Sequence, residues 1–414
     1  MNRHKRTPSP PRHIAMVSVH ASPLAALGDP GAGGQNVYVA GLAGRLARRG
    51  HRVTVYTRRA DPGLPPHVRT ADGYLVVHVP AGPATYVPRD ELLGHMPAFG
   101  EFLTRSWSLE TPDAAHAHFW MSGMAALAGA RQHGVPVVQS YHALGTVARR
   151  HQGDEEIGPH ERLAVERAIG REAAHVVATC TDEVAELREM GVPRRRISVV
   201  PCGVDTDRFT PMPGTRRPQG APQRLLAVGR LVRRKGFDRA IHALADVPDA
   251  ELLIAGGPEA SLLFADPEAE RLRKTAEECG VSERVKLLGA ISREEMPHLM
   301  SGADLVLSLP QYEPFGIVAI EAMACGKPVL VTAVGGHLDT VVSGVTGALV
   351  PTSAGHDLAD TIRKLLDDPR RLERLGASGR ERVLDRYTWD RVTDGVSRVY
   401  NRLSRAPSPV GSPR

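Results

Sequence analysis

Aromatic residues make up only 4% of this 414-residue chain, and it holds four cysteines. No stretch reaches about 18 uninterrupted apolar residues, the length a membrane span needs, so peripheral contact is the one membrane relationship left open. Cys180, Cys202, Cys279 and Cys325 form no CxxC pair and no tight metal spacing, so they read as ordinary thiols of a reducing compartment. A cytoplasmic setting follows as an expectation. There is no HExxH, so no metal site is expected. Zinc fingers, a paired aromatic RNA-binding signature and a basic helix joined to heptads are all missing, which argues against a nucleic-acid partner. The formal charge of +6 is small for the length and gathers at the ends. Arg3, Lys5, Arg6 and Arg12 crowd a proline-rich start, and RAPSPVGSPR closes the chain. Neither end has apolar side chains to bury, so 1–13 and 403–414 read as disordered tails.

The hydrophobic fraction of 42% is enough for two domains with proper cores. The first apolar segment, IAMVSVH, is too short for a secretory signal core and reads as a strand. A turn from Gly28 to Gly34 follows, then a helix from about Asn36 with Val39, Leu42, Ala43 and Leu46 on one face. That helix stops near Gly50, after Arg48 and Arg49, and HRVTVYT is the next strand. Strand, glycine turn, helix and strand make a βαβ unit and imply a parallel sheet. The alternation continues through YLVVHVP, AAHAHF, VPVVQSYH, AHVVATCT and RISVVPCGVD. PMPGTRRPQGAPQ then breaks it as a linker would. A second series runs through RLLAVGR, AELLIAGG, VKLLGA, ADLVLSLP, KPVLVTA and GALVP. The fold class read here is α/β, with two Rossmann-like parallel-sheet domains at 14–209 and 210–384 facing across a cleft. Ligands of such sheets bind beyond the carboxyl ends of the strands.

Several residues at those strand ends can carry chemistry. Small residues at Gly33 and Gly34 let backbone N–H groups approach a phosphate at a helix start, although the spacing is not GxGxxG. Arg230 and Lys235, in GRLVRRKGF, follow a buried strand, where cations can hold a diphosphate and stabilise its charge as it leaves. Arg233 and Arg234 between them read as solvent-facing. Glu313, Phe315 and Gly316 lie in YEPFG, and Glu321 lies two turns further on in IVAIEAMACG. Carboxylates can accept from the hydroxyls of a hexose or a ribose. His118, in HAHFW, can bond a sugar hydroxyl or a phosphate, whereas His116 reads as structural. His20 and His142 also end strands. Asn36, Arg89 and Arg162 can reach a polar or phosphorylated acceptor. Arg162 and Glu166 at i and i+4 equally make an ordinary helix ion pair of a few tenths of a kcal/mol.

With EPFGIVAIE (Glu313–Glu321), GRLVRRKG, AGLAGRLARRGHRVTVYT, ISVVPCGVDTDRF and AVGGHLDTVVSGVTGALV in order, residues 14–400 resemble the retaining GT-B glycosyltransferases of family 4. The opening VSVHASPLAALGDPGAGGQNVYV is most similar to the sucrose-phosphate synthase and mycothiol branch. The resemblance implies a UDP- or GDP-linked sugar as donor and no cofactor or metal. It places Gly33 and Gly34 at the donor phosphates, Arg230 and Lys235 on the leaving diphosphate, Glu313 at the transferred sugar, Glu321 at the ribose and His118 near the sugar's 6-position. It implies front-face transfer, which needs a stabilised leaving group and an accurately placed acceptor rather than a strong protein base. The helical segment 385–402 would pack back on the first domain. In the mycothiol enzyme a lysine helps bind inositol phosphate where this chain has Arg89, while Asn36 and Arg162 match. A phosphorylase, a sugar-nucleotide epimerase and a non-catalytic nucleotide-sugar binder are the competing readings. The presence of Lys235, Arg230 and Glu313 argues against the last.

Overall fold

The computed structural model describes residues 10–25, 33–152, 158–213, 220–353 and 355–403. The expected tails fall mostly outside these, at 1–9 and 404–414, as do residues 28–32 of the glycine turn and 214–219 of the linker. At the edge of the first tail, His13 already opens a strand, and Arg12 donates to the Tyr400 carbonyl at 2.8 Å.

Two sheets carry the fold. The first contains β1 (His13–Val17), β2 (Arg52–Arg58), β3 (His67–Arg69), β4 (Leu75–Val79), β5 (Ala114–His118), β6 (Val137–Ser140), β7 (His175–Ala178) and β8 (Ile197–Val199). Their order is β3-β4-β2-β1-β5-β6-β7-β8. Every neighbouring pair is parallel except β3 with β4. The first sheet is thus parallel as expected, with one antiparallel pair at its edge. The three residues of β3 carry almost no apolar pattern, so the strand left no periodic trace in the sequence. The second sheet contains β9 (Gln223–Val228), β10 (Ala250–Ala255), β11 (Val285–Gly289), β12 (Leu305–Ser308), β13 (Val329–Thr332) and β14 (Ala348–Val350). It is parallel throughout, in the order β11-β10-β9-β12-β13-β14.

Central strands such as β1, β5 and β10 are buried along nearly their whole length, as strands covered on both faces by helices must be. In each sheet the chain first builds outward on one side and then returns to the other. The reversal falls between β1 and β5 in the first sheet and between β9 and β12 in the second. At such a switch point the loops leaving two adjacent strands diverge and open a crevice.

The helix Gly34–Arg48 starts at the glycine turn and buries Tyr38, Val39, Leu42, Ala43 and Leu46. The final helix, Trp389–Leu403, lies against it. A Cβ on Gly41 would come within 2.3 Å of the Trp389 ring, so only glycine admits the indole there. Arg45 pairs with Asp390, Arg49 bonds Asp394 at 2.7 Å, and the Tyr400 hydroxyl meets His116 Nδ1 at 2.8 Å. One apolar cluster joins Met16 and Tyr38 beside the first sheet to Ile320 beside the second and Val396 of this last helix.

Candidate active site

Lys235 and Glu313 meet at the switch point of the second sheet. Lys235 follows β9, and Glu313 follows β12, its neighbour. Lys235 ends a short 3-10 turn closed by Gly236, whose φ of +68° is left-handed. A Cβ at Gly236 would sit 2.1 Å from the Leu309 carbonyl oxygen, so glycine lets this turn close over the end of β12. The Lys235 ammonium donates to Glu313 Oε2 at 2.6 Å, with 15% and 14% of the two side chains exposed. Burial alone would raise the Glu313 pKa. The positive charge of Lys235, with smaller help from His337 and the Lys235 hydrogen bond, overcomes it and holds the carboxyl at about 2. Arg230 is exposed at the rim, after β9.

Backbone carries the rest of this loop. Gly316 has φ +90° and caps the helix Ile317–Ala324, and a Cβ there would lie 2.6 Å from the His337 ring. His337 is itself fixed, Nδ1 on the Thr332 carbonyl at 3.0 Å and Nε2 by Ser308 Oγ at 3.3 Å. Gly336 donates its N–H to the Glu313 carbonyl at 2.9 Å, and Phe315 is buried. Glu321 is buried one helix turn below and accepts from Arg293 Nη1 at 2.7 Å. Burial raises its pKa while the Arg293 charge opposes that rise. Arg293 left no signal in the sequence reading, because nothing in ISREEM marks it.

The first half of the chain reaches the same loop. A Cβ on Gly34 would lie 2.9 Å from Ile317 Cδ1, which places the glycine turn against the start of the Glu313 loop's helix. His151 stacks on Tyr312 with ring centroids 5.2 Å apart, and Thr179 Oγ1 lies 3.4 Å from the Pro314 carbonyl. Thr181 donates its backbone N–H to Asp339 at 2.6 Å. Across the first switch point, His118 ends β5. It is fully buried, and its Nδ1 is 3.0 Å from His142 Nε2. Burial, then the neighbouring His116 and His142, push its pKa well below the usual histidine value, so it is neutral at pH 7.

Three acceptor candidates are held differently from one another. Asn36 spends its amide locally: Oδ1 accepts from Gly33 N at 2.9 Å, and Nδ2 donates to the Ser22 carbonyl at 2.8 Å. It locks the turn. Arg89 is half exposed, pairs with Asp90 at 3.0 Å, and lies 5.8 Å from the Phe119 ring centre. Arg162 stands 5.1 Å from the same ring. Its pairing with Glu166, at 2.8 Å, is the helix ion pair of the i, i+4 spacing, but a buried one, since only 3% and 1% of the two side chains are exposed. Glu166 also accepts from Gly145 N at 2.8 Å. Glu166→Ala should therefore cost about 3–5 kcal/mol in urea unfolding, because it leaves a buried guanidinium without its carboxylate. A loss below about 1 kcal/mol would mean the pair is solvated.

Comparison with known proteins accounts for this layout. Residues 32–208 match the model described as Glycosyltransferase Family 4, and residues 215–382 match Glycosyl transferases group 1. The chain is 38% identical to D-inositol 3-phosphate glycosyltransferase 1 of Catenulispora acidiphila, over 95% of this chain and 97% of that one. It is also 38% identical to the D-inositol 3-phosphate glycosyltransferase of Mycolicibacterium smegmatis, over 97% of this chain and 94% of that one. The solved structure of sucrose-phosphate synthase from Thermosynechococcus elongatus superposes with a TM-score of 0.87 at 34% identity, covering 95% and 99% of the two chains.

The chain belongs to glycosyltransferase family 4. It is a nucleotide-sugar-dependent hexosyltransferase of the GT-B fold, related to the inositol-phosphate and sucrose-phosphate synthase branch. In this family 4 enzyme Gly34, Thr179 and His151 of the first half all lie against the Glu313 loop or the helix that follows it. Among the described residues no group of three or more His, Cys, Asp or Glu is placed to hold a metal ion, and no helix is long and apolar enough to cross a membrane.

Proposed function

We propose that the enzyme transfers a hexosyl or N-acetylhexosaminyl group, with retention, from a UDP-sugar, or next a GDP-sugar, to a hydroxyl of a phosphorylated polyol. The observation that carries this reading is the Lys235–Glu313 pair at the second switch point, with Gly34 packed against the helix that follows Glu313. Lys235 and Arg230 supply the positive charge for the departing diphosphate, a task some glycosyltransferases give to a metal ion. Gly33 and Gly34 bring backbone N–H groups to the phosphates. Glu313, kept ionised, accepts from a hydroxyl of the transferred sugar while Lys235 turns toward the diphosphate. Phe315 and Gly316 shape that loop. Glu321 accepts from the ribose hydroxyls, its charge balanced by Arg293.

Front-face transfer asks little of a protein base. The acceptor oxygen attacks the anomeric carbon on the side from which the diphosphate leaves, and a phosphate oxygen takes the proton. What the protein must supply is placement and charge. Arg89 and Arg162, on the Phe119 ring, form a cationic pair for an acceptor phosphate, and Asn36 holds the turn between donor and acceptor. The names of the inositol-phosphate and sucrose-phosphate relatives support a phosphorylated acceptor. The residues 14–209 form the acceptor-side domain and 210–384 the donor-side domain, with 385–402 returning to the first.

A matrix of UDP- and GDP-sugars against inositol phosphate, hexose phosphates and their unphosphorylated forms tests this directly. Turnover only with phosphorylated acceptors is expected. Arg89→Ala should then raise the acceptor KM by about tenfold while leaving the donor KM unchanged, the cost of one exposed charge-assisted contact. Equal use of free and phosphorylated polyols would overturn the acceptor class.

A further inference from the structure

Two non-glycine residues among those described have a left-handed backbone: Phe119, at φ 77°, and His142, at φ 60°. They flank one contact, the 3.0 Å approach of His118 Nδ1 to His142 Nε2. Such backbone costs free energy, and folds keep it where the surroundings dictate a geometry. Here it aims the His142 ring at its neighbour.

Around His118 the polar capacity is nearly used up. The His116 ring lies tilted against it, centroids 4.3 Å apart, but its Nδ1 bonds the Tyr400 hydroxyl at 2.8 Å and its Nε2 bonds Ser140 Oγ at 3.0 Å. The Gln35 amide donates to the His118 carbonyl at 3.2 Å. His118 Nε2 is buried and without a hydrogen-bond partner in the protein, as is the hydroxyl of Tyr38, whose ring centre lies 5.6 Å away. A buried polar atom left unpaired is costly, and a bound ligand that pairs it recovers the cost.

We propose that His142 is a positioning residue: its Nε2–H donates to His118 Nδ1, so His118 keeps its proton on Nε2 and offers it to an acceptor oxygen of the donor substrate. The proposal rests on the functional reading above for the ligand, but not for the tautomer. Between two neutral imidazoles one nitrogen must donate and the other accept. Free histidine prefers its proton on Nε2. The direction from His142 to His118 leaves both rings in that preferred form, whereas the reverse puts both in the disfavoured one. Burial lowers the His142 pKa to about 4 and the His116 pKa to about 3, so the cluster holds no imidazolium at pH 7. A hydroxyl of the sugar and an oxygen of the diphosphate are the two oxygens that suit such a donor.

Long-range nitrogen–proton correlation spectra of the full chain with nitrogen-15 histidine test this. The His118 signals are assigned by their loss in His118→Gln. Expected in the free protein is a pyrrole-type Nε2 and a pyridine-type Nδ1. The opposite pattern overturns the proposal. A change at Nε2 on adding UDP alone identifies a phosphate partner, and a change only with UDP-glucose identifies a sugar hydroxyl. Binding of both, by calorimetry, without either change overturns the ligand half. If neither nucleotide binds, the functional reading fails while the tautomer result still stands.

Kinetics separate positioning from packing. His142→Gln keeps a donor N–H near the Nε2 position and should stay close to wild type, whereas His142→Leu should lose about 10- to 100-fold in kcat/KM and scramble the His118 tautomer. Equal kinetics and an unchanged tautomer in His142→Leu would overturn the assignment.

Discussion

Lys235→Ala should lower kcat by about 10²–10³-fold, the usual loss when one preorganised donor to a developing anion is removed. The donor sugar should still bind, more weakly, because backbone groups and Arg230 remain. The variant should fold. Its stability should nonetheless change with pH in a particular direction. In the wild type Glu313 has its pKa depressed to about 2 by Lys235, against burial. A depressed carboxyl contributes stability above its unfolded pKa and loses it as pH falls through the folded value. Without Lys235, burial is opposed only by the smaller charge effects of His337 and Arg234, and the depression is lost. The stability gap between wild type and variant should therefore be widest near neutral pH and close as the pH drops from about 5 toward 2. Urea unfolding at several pH values reads this, and a gap that widens on acidification would contradict the pairing.

Gly336→Ala should be nearly as damaging to turnover, with nothing removed. A Cβ there would lie 2.3 Å from Phe315 Cα and 2.5 Å from its carbonyl oxygen. These are backbone atoms, so no side chain can swing aside. The segment Glu313–Gly316 must shift, and with it the carboxylate that faces Lys235. A displacement of about 1 Å at a reacting centre costs on the order of 10²-fold in rate. The expected signature is a large fall in kcat with a smaller rise in donor KM. Gly344→Ala is the control. Its Cβ meets no atom within 4 Å, although its φ of +77° carries strain. Comparable losses in both variants would place the effect in general destabilisation rather than in the Glu313 loop.

Most of the sheet was legible because its strands are short apolar runs between glycine turns. RLLAV, AELLIA and LVLS needed only the buried-strand pattern to be found. The strand β3 was not legible, since HVR has no period to detect. Residue type and place at strand ends singled out Lys235 and Glu313. Their 2.6 Å contact spans 78 positions of sequence and depends on β9 and β12 being neighbours, which no local spacing encodes. Asn36 shows the opposite limit. Its position after the glycines suggested a ligand contact, but its amide is turned into the turn by Gly33 and Ser22. Helical spacing found the Arg162–Glu166 pair but not its burial, which comes from the helix and loop packed around it. Arg293 and the His118–His142 contact had no sequence signature at all, because each joins elements more than 20 residues apart in the chain.

Titration calorimetry of wild type and Lys235→Ala with UDP, GDP and ADP, first in EDTA and then in magnesium, bears most directly on the leaving-group site. Selective binding of one nucleoside diphosphate is expected, UDP before GDP, unchanged by magnesium and weakened by loss of Lys235. Binding that needs magnesium and ignores Lys235, or no binding by any of the three, would contradict a diphosphate held by side-chain cations at the second switch point.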